Sequence, residues 1–303
     1  MASILAAHMS GRLAGQGGIL IILLAAILWG TVGVTTRAIF TLSETTALTV
    51  AFLRLALALP VLAASAAAVL GRRGFSASPR HLLLMAGIGS MLAVYQLCYF
   101  GAIQRVGVAV ATLVTLCAAP VIVALISTTF LGERPTRKLV LAASLAIVGT
   151  MLLISPAEDA VPGDDTMFGL VLALGSATGY ALVAIASRAI ARAAHPLTSM
   201  TVGFGVGSLA LLPALLLEGV NFSFSPEAWV LLLYLGIVPS AVAYVLFTIG
   251  MRTTVATVAS LVTLIEPLTA AALAWLLFGE ELGQLALVGA ALLLGAVFLL
   301  TLE

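Results

Sequence analysis

Two tyrosines and a glutamine lie close together near the middle of a long apolar segment. Tyr95, Gln96 and Tyr99 occupy positions i, i+1 and i+4, which share about 100° of one helix face. A tyrosine ring can hold an apolar group and its hydroxyl a polar one, so this face suits a bulky small molecule. The alternative is the interfacial aromatic belt of a membrane protein, where tyrosine is also common. The mid-segment position favours a cavity, because polar side chains inside a membrane usually face the bundle interior.

Two charged residues also interrupt apolar segments. Arg54 lies near the centre of one segment, and Glu266 directly precedes Pro267 in another. Charges inside a membrane are costly, so both residues are candidates for a role in gating or coupling. A structural role is the alternative: Arg54 would bond to carbonyls or hydroxyls, and Glu266 would be protonated or cap a break at the proline. A direct Arg54–Glu266 pair needs two helices side by side that the sequence alone does not place.

The composition requires lipid as the solvent for most of the surface. Of 303 residues, 62% are hydrophobic and 8% are charged, and the mean hydropathy is +1.25. A soluble domain carries about 25% charged residues. The net charge of +1 gives no reason to expect nucleic acid as a partner. Cys98 and Cys117 lack the spacing of a metal site or a disulfide framework, so no metal or cofactor is expected.

Ten segments are long and apolar enough to cross a hydrocarbon core of about 30 Å as helices. They lie at about 18–37, 44–70, 81–103, 106–131, 138–155, 167–190, 197–217, 227–250, 254–279 and 284–302. Residues 1–17 are expected to form a disordered cytoplasmic start, because their apolar run is too short for a signal peptide. The predicted fold class is an all-α integral membrane protein with ten transmembrane helices.

The distribution of charge predicts that both termini are cytoplasmic. With the N-terminus inside, most of the basic residues fall on the cytoplasmic side: Arg12, Arg72, Arg73, Arg80, Arg134, Arg137, Lys138, Arg188, Arg192 and Arg252. Only Arg37 and Arg105 fall on the other side, which holds most of the acidic residues. This asymmetry is typical of the positive-inside rule, and an even number of spans returns the chain to its starting side.

The chain contains an internal repeat of five spans. Residues 112–133 and 260–280 share Leu-Val-Thr-Leu, a proline, twelve further residues and a glutamate, Glu133 or Glu280. Elsewhere the offset between matching residues drifts only between 147 and 153, so the repeat covers nearly the whole chain. Five is an odd number, so the second half enters the membrane from the opposite side. The predicted units are a first repeat at 18–155, a periplasmic linker at 156–166 and a second repeat at 167–303.

The repeat also pairs aromatic residues of the two halves. Tyr244 corresponds to Tyr95, and Trp29 corresponds to Tyr180 in the sixth segment. Inverted repeats place a substrate site at mid-membrane between the halves, so we expect these residues to complete the lining of that site. The alternative is a gene duplication in a protein whose helices merely pack together.

Prolines are expected to interrupt three of the helices. Pro120, Pro239 and Pro267 lie within apolar segments. Proline lacks a backbone N–H and so frees a carbonyl, which can bind a ligand or allow a hinge. An ordinary kink is the commoner outcome for a single proline. Pro120 and Pro267 are equivalent in the repeat, which gives both a predicted role in gating, because repeat-related breaks mark binding sites in transporters.

Several short motifs resemble those of one membrane-protein family. The first span holds Leu28-Trp29-Gly30, the second holds Phe52-Leu53-Arg54, and the two Pro-containing segments end in Gly-Glu pairs at positions 132–133 and 279–280. Together these motifs resemble EamA repeats, which define ten-helix members of the drug/metabolite transporter superfamily. The whole chain and its aromatic third span are most similar to the YddG-type exporters, which move aromatic and other amino acids out of bacteria. The resemblance implies no cofactor, ATP site or metal.

The repeat and the resemblance predict a monomeric bacterial inner-membrane transporter that exports amino acids or related small metabolites by alternating access. Its expected partners are the small-molecule substrate and the lipid bilayer. A facilitator, or an exporter of another metabolite or drug, is the alternative. An intramembrane enzyme is a weaker alternative, because His8, His81 and His195 lie at the terminus or in loops and no paired acids occur mid-span. An inverted duplication also suits alternating access better than a permanent pore.

Overall fold

The computed structural model of the chain describes residues 2–71, 77–130, 132, 136–153, 165–219, 222–279 and 283–301. The repeated glutamates Glu133 and Glu280 lie outside these described residues, and so do positions 156–164 of the predicted linker. The described ranges contain most or all of each of the ten apolar segments.

The prediction of ten membrane helices is confirmed within the described ranges. Eight of the helices hold a stretch of at least 18 residues that is apolar enough to cross a membrane, α10 holds a shorter apolar stretch, Gln284–Leu300, and α5 is 17 residues long. The helices are α1 Ala2–Leu42, α2 Ala47–Leu70, α3 Pro79–Gly107, α4 Val110–Phe130, α5 Arg137–Leu153, α6 Thr166–Ile190, α7 Pro196–Glu218, α8 Pro226–Gly250, α9 Ala256–Leu277 and α10 Gln284–Thr301.

The first helix begins earlier than the sequence predicted. It starts at Ala2, so the expectation of a disordered start over residues 1–17 was wrong. No proline occurs between residues 2 and 42 to end a helix, so the early apolar run continues directly into the membrane helix. The part that is apolar enough to span a membrane is Gln16–Leu42.

The helix ends follow from local sequence signals. The Thr46 side chain accepts a hydrogen bond from the backbone N–H of Thr49 (3.1 Å) and caps α2, and Ser225 caps α8 in the same way. Prolines occupy the first turns of α7 and α8, where the missing N–H has no cost. Gly107 separates α3 from α4 with φ 76° and ψ 165°, a conformation that needs glycine.

The three mid-span prolines have different effects. Pro239 lies in a π-helical turn, Gly236–Val242, and α9 is broken by a turn at Thr263 just before Pro267. The helical backbone of α4 continues through Pro120, so the predicted interruption there was wrong. One proline removes one backbone hydrogen bond, and a packed helix can absorb that loss with a bend.

The packing of the helices reflects the repeat. Equivalent helices pack on each other across the two halves, α2 on α7 and α5 on α10. In addition, α1 of the first half packs on α8 and α9 of the second, and α6 of the second half packs on the segment Pro79–Phe130 of the first. Each half has five helices, so the two halves run through the membrane in opposite directions. The core therefore lies at the interface between the halves.

The outer surface of the bundle is apolar. Leu83, Phe130 and Leu217 are 75%, 79% and 89% exposed, and large hydrophobic side chains are exposed on most of the helices. Such a surface would aggregate in water, whereas lipid solvates it at no cost. The burial pattern therefore agrees with the composition in requiring a bilayer around the protein.

Glycine allows α3 and α7 to approach backbone to backbone. A Cβ atom at Gly89 would lie 2.1 Å from the carbonyl oxygen of Gly203 and 3.0 Å from the backbone nitrogen of Gly207. No side chain fits into such a contact, so the helix crossing depends on the absence of one.

Replacement of this glycine tests the crossing. We expect Gly89→Ala to reduce the free energy of unfolding by about 1–3 kcal/mol, because the helices must separate to admit the methyl group. Thermal unfolding in detergent would measure the loss. Gly87→Ala is the matched control, because a Cβ atom there meets nothing within 4 Å. Equal stability of the two variants would contradict the crossing.

Candidate functional site

Three of the predicted tyrosines form one cluster inside the bundle. The rings of Tyr95 and Tyr99 on α3 stack with centroids 6.0 Å apart, and Tyr180 on α6 lies 5.9 Å from Tyr95. Gly179 makes the approach of α6 possible, since a Cβ atom there would lie 3.1–3.2 Å from atoms of Tyr95, its backbone among them. All three tyrosines are half-buried although helices of both halves surround them. They lie inside the bundle rather than in an interfacial belt.

Two further predicted residues form a second, tighter aromatic group. The Trp29 ring on α1 lies 4.8 Å from the Tyr244 ring and 5.2 Å from the Phe247 ring of α8. Phe204 on α7 contacts Tyr244 at 5.2 Å. Trp29 is 5% exposed and Tyr244 is 8% exposed. These rings hold α1, α7 and α8 together, and the role of Trp29 and Tyr244 in lining a substrate site stays a prediction.

Threonine hydroxyls are the hydrogen-bond partners of the tyrosine cluster. Tyr99 and Thr112 of α4 share a hydrogen bond of 2.6 Å between their hydroxyls. Tyr180 donates to the Thr263 hydroxyl in the break of α9 (2.9 Å), and Thr263 donates in turn to a carbonyl of the preceding turn. Sequence reasoning missed both threonines, although Thr263 belongs to the repeated Leu-Val-Thr-Leu motif. The repetition of this motif was the signal that could have identified Thr263.

The two mid-helix charges have different surroundings. Arg54 on α2 donates a hydrogen bond from Nε to the Ser240 hydroxyl in the π-helical turn of α8 (3.1 Å). Glu266 lies on α9, and within the described residues no ion pair within 4.0 Å joins it to Arg54. Both side chains are half-buried. The structure thus places α2 against α8, which the sequence alone did not.

Gln96 does not join the tyrosine cluster by hydrogen bonds. It is 5% exposed, and no hydrogen bond joins it to Tyr95, Tyr99 or Tyr180 within the described ranges. Gln96 lies at one edge of the face that it shares with the two tyrosines, about 100° around the helix from Tyr95. The prediction that Gln96 binds substrate therefore has no contact with the cluster to support it.

The backbone of the broken helix is held against α1. A Cβ atom at Gly30 would lie 2.8 Å from the carbonyl oxygen of Glu266 and 2.5 Å from the Thr269 side chain. Gly30 follows Trp29 in the first span, so one short motif both packs the aromatic group and fixes the backbone at Glu266. This contact places the first residues after the break of α9 at the interface between the halves.

Arginines join two loops on one side of the bundle. We call this contact the loop junction; it consists of the α6–α7 loop, 191–195, and the α8–α9 loop, 251–255. The side chain of Arg252 donates to the carbonyl of Ala191 (2.9 Å), and Arg192 donates to the carbonyl of Arg252 (2.7 Å). Arg188 donates to the carbonyl of Met251. The three guanidinium groups therefore join two loops of the second half to each other.

The opposite side of the bundle also has contacts, and these join the two halves. The Thr46 hydroxyl donates to the Glu218 carboxylate (3.2 Å), and the backbone N–H of Ser225 donates to the Ser43 hydroxyl (3.4 Å). Within the described ranges, the packing of α6 on α9, with Tyr180 bonded to Thr263, has no equally extensive counterpart between the repeat equivalents α1 and α4. The two halves therefore differ in this helix pair.

The cluster has no side chains suited to hold a metal. Within the described ranges, no three His, Cys, Asp or Glu side chains come together. Its chemistry is that of a ligand-binding surface: three tyrosine rings with hydroxyls, one guanidinium and one carboxylate. Such a surface can bind and orient a small dipolar molecule.

Comparison with known proteins identifies one family over both halves. The EamA-like transporter family matches residues 16–155 and again residues 167–302. An uncharacterized transporter of Archaeoglobus fulgidus is 33% identical over 92% of this chain and 94% of its own length. The uncharacterized inner membrane transporter YicL of Salmonella typhimurium is 28% identical over 94% of this chain and 95% of its own length. Neither relative is named as a YddG-type exporter, so the resemblance of this chain to those exporters stays a prediction.

A solved structure has the same fold. A crystal structure of a protein matches with a TM-score of 0.81 over 94% of this chain and 96% of that chain, at 21% identity. At this identity the likeness concerns the fold alone. It confirms the ten-helix architecture with two inverted repeats.

The loop junction makes stability depend on pH through His195. The side chain of His195 accepts a hydrogen bond from the backbone N–H of Leu197 (3.3 Å) at the start of α7. Partial burial and the nearby Arg252 guanidinium lower the pKa of His195 below its ordinary value of 6.5. The folded protein therefore binds fewer protons here than the unfolded chain does, and stability falls as the pH drops below 6.5.

We expect the unfolding temperature to fall as the pH is lowered from 7.5 to 5.5, by an amount that is smaller in His195→Asn. Asparagine keeps a side-chain acceptor at the helix start and does not titrate. Differential scanning fluorimetry in detergent would measure both proteins. His81→Asn, in the first turn of α3, is the control for a histidine away from the junction. An identical pH dependence of wild type and His195→Asn would contradict this role.

Proposed function

The chain belongs to the EamA-like transporter family, and on that premise we propose that it exports amino acids or related small metabolites by alternating access. Membership supports a small-molecule transporter, and the named relatives are transporters. Export of amino acids or related metabolites and alternating access are what we propose beyond family membership. We propose the inner membrane as its location, in line with the relative YicL.

The tyrosine cluster is the single observation that carries the proposal. Tyr95 and Tyr99 belong to the first half and Tyr180 to the second, so the cluster lies where a site between inverted repeats is expected. Side chains that are half-buried although helices surround them line an internal space. Rings and hydroxyls in that space suit a molecule with a bulky apolar side chain and polar groups, such as an aromatic amino acid.

The difference between the two halves supports alternating access. Helices α6 and α9 pack together and are bonded through Tyr180 and Thr263, whereas within the described ranges the equivalent α1 and α4 have no equally extensive contact. An exchange of these arrangements between the halves would give the second state of a transport cycle. Similar sequences in the two halves make the two states similar in energy, as a transport cycle requires.

The proposed orientation can be tested with single cysteines. We expect Ala193→Cys to be labelled only from the cytoplasmic side and Gly283→Cys only from the outside, because both positions are exposed and lie at opposite ends of the bundle. The experiment would use a membrane-impermeant maleimide on intact and permeabilised cells, in a background in which Cys98 and Cys117 are replaced by alanine. The reverse pattern would overturn the topology, and the background protein is the control.

The proposed substrate cavity can be tested by flux in proteoliposomes. We expect saturable uptake of radiolabelled phenylalanine, reduced about tenfold at low concentration by Tyr95→Ala, because a lost ring contact is worth about 1–1.5 kcal/mol. The unfolding temperature of the variant should stay near that of wild type. Phe130→Ala, which removes a ring that is 79% exposed to lipid, is the matched control.

The same flux assay separates the alternatives. Flux that rises linearly without saturation would indicate a channel. An imposed pH gradient would increase uptake of a proton-coupled carrier and leave that of a facilitator unchanged. A large loss of stability in Tyr95→Ala with normal flux per folded protein would show that the tyrosines are packing residues and that the cavity lies elsewhere.

A further inference from the structure

We propose that Arg54 and Glu266 bind the carboxylate and the ammonium group, respectively, of a free α-amino acid. The inference rests on the proposed function and specifies which part of the transported molecule the protein recognises. The tyrosine cluster receives the side chain, and the two charges select for the zwitterion. Arg54 and Glu266 then determine specificity instead of serving only as structural contacts.

The two charges are held in place by different contacts. Arg54 is bonded through Nε to Ser240, which leaves the terminal nitrogens of the guanidinium available to another acceptor. Glu266 is fixed through its backbone, because Gly30 of α1 packs directly against its carbonyl oxygen. Each charge is therefore positioned by its own neighbours and does not depend on the other charge.

The two charges do not form a pair with each other. Close opposite charges that are free to move would pair, because their attraction is strong at short range in a medium of low dielectric constant. No ion pair within 4.0 Å joins Arg54 and Glu266, and neither side chain is fully enclosed. A separated pair of this kind presents an opposite charge to each end of a dipolar ligand.

The charges border the tyrosine cluster. Tyr180 donates a hydrogen bond to Thr263, which lies three residues before Glu266 on α9. Arg54 is bonded to Ser240, which lies one turn before Tyr244 on α8. In an α-amino acid one carbon atom carries the carboxylate, the ammonium group and the side chain. A site with one positive charge, one negative charge and adjacent rings has the corresponding three parts.

Charge complementarity should make the site discriminate strongly between a zwitterion and a molecule that lacks one of its charges. A zwitterion loses its hydration on entering the bundle, and this loss is offset only if each charge finds a partner. A molecule that lacks one of the charges leaves one protein charge without a partner, which is the situation that polar sites reject most strongly. An uncharged or singly charged molecule of the same shape should therefore bind weakly.

Competition for phenylalanine flux tests the inference on the full-length protein in proteoliposomes. Three unlabelled competitors are compared: phenylalanine, N-acetylphenylalanine, which lacks the ammonium charge, and phenylalaninamide, which lacks the carboxylate. In wild type we expect each of the two analogues to compete at least about tenfold more weakly than phenylalanine. Competition avoids errors from leakage of the analogues through the bilayer.

Removal of each charge from the protein should leave unchanged the competition by the analogue that lacks the matching group. We expect Glu266→Gln to weaken competition by phenylalanine about tenfold while N-acetylphenylalanine competes as in wild type. Arg54→Gln should weaken phenylalanine and leave phenylalaninamide unchanged, and Arg54→Lys should keep the discrimination of wild type. Glu227→Gln, at an exposed glutamate at the start of α8, is the matched control. Unfolding temperatures of all variants are measured in parallel.

The outcomes separate this inference from the proposed function. Equal weakening of all three competitors by Glu266→Gln, or no discrimination in wild type, would show that the charges are structural and overturn the inference alone. Absence of phenylalanine flux in wild type would overturn the proposed function together with it. If Arg54→Gln fails to fold, Glu266→Gln and Arg54→Lys decide the question.

Discussion

The whole architecture depends on the requirement that every backbone polar group in lipid be bonded within the protein. In the hydrocarbon region there is no water to replace a missing partner, so lipid-facing segments must be helical. Irregular backbone is tolerated only inside the bundle, and the structure follows this rule. The π-helical turn Gly236–Val242 and the break of α9 at Thr263 both face other helices. Ser240 lies in the π-helical turn, and Glu266 follows the break by three residues. The deviations from ideal helix therefore lie beside the polar residues of the candidate site.

Close helix contacts at glycine set the geometry of that site. Lipid solvates apolar side chains as well as a protein interior does, so helices associate in a membrane mainly through tight packing. Gly179 brings α6 onto the backbone of Tyr95, and Gly30 brings α1 onto the carbonyl of Glu266. Both contacts join a helix of one half to a helix of the other. The same contacts that hold the two halves together also position the tyrosines and the carboxylate.

The two halves are similar in sequence but not in structure. Pro267 follows a break in α9, whereas the equivalent Pro120 lies in a continuous helix. Helices α6 and α9 pack together, whereas the equivalent α1 and α4 have no equally extensive contact within the described ranges. The sequences of the halves differ at the same place, because Ala119 precedes Pro120 where Glu266 precedes Pro267. Under the proposed alternating access, an exchange of the two arrangements would produce the second state.

The sequence by itself determined the features that depend on single segments or on the repetition of segments along the chain. Hydropathy and length determined the ten helices, because the thickness of the hydrocarbon core fixes the length of a span. The offset between matching residues identified two halves, and the spacing of Tyr95 and Tyr99 placed their rings on one helix face. Only the tertiary structure decided which helices meet. Within the described ranges it left Gln96 without a hydrogen bond to the tyrosines, bonded Tyr180 to Thr263, and bonded Arg54 to Ser240 of α8 instead of pairing it with Glu266. These contacts depend on the angle and depth at which helices far apart in sequence cross, and no local pattern of residues encodes that angle.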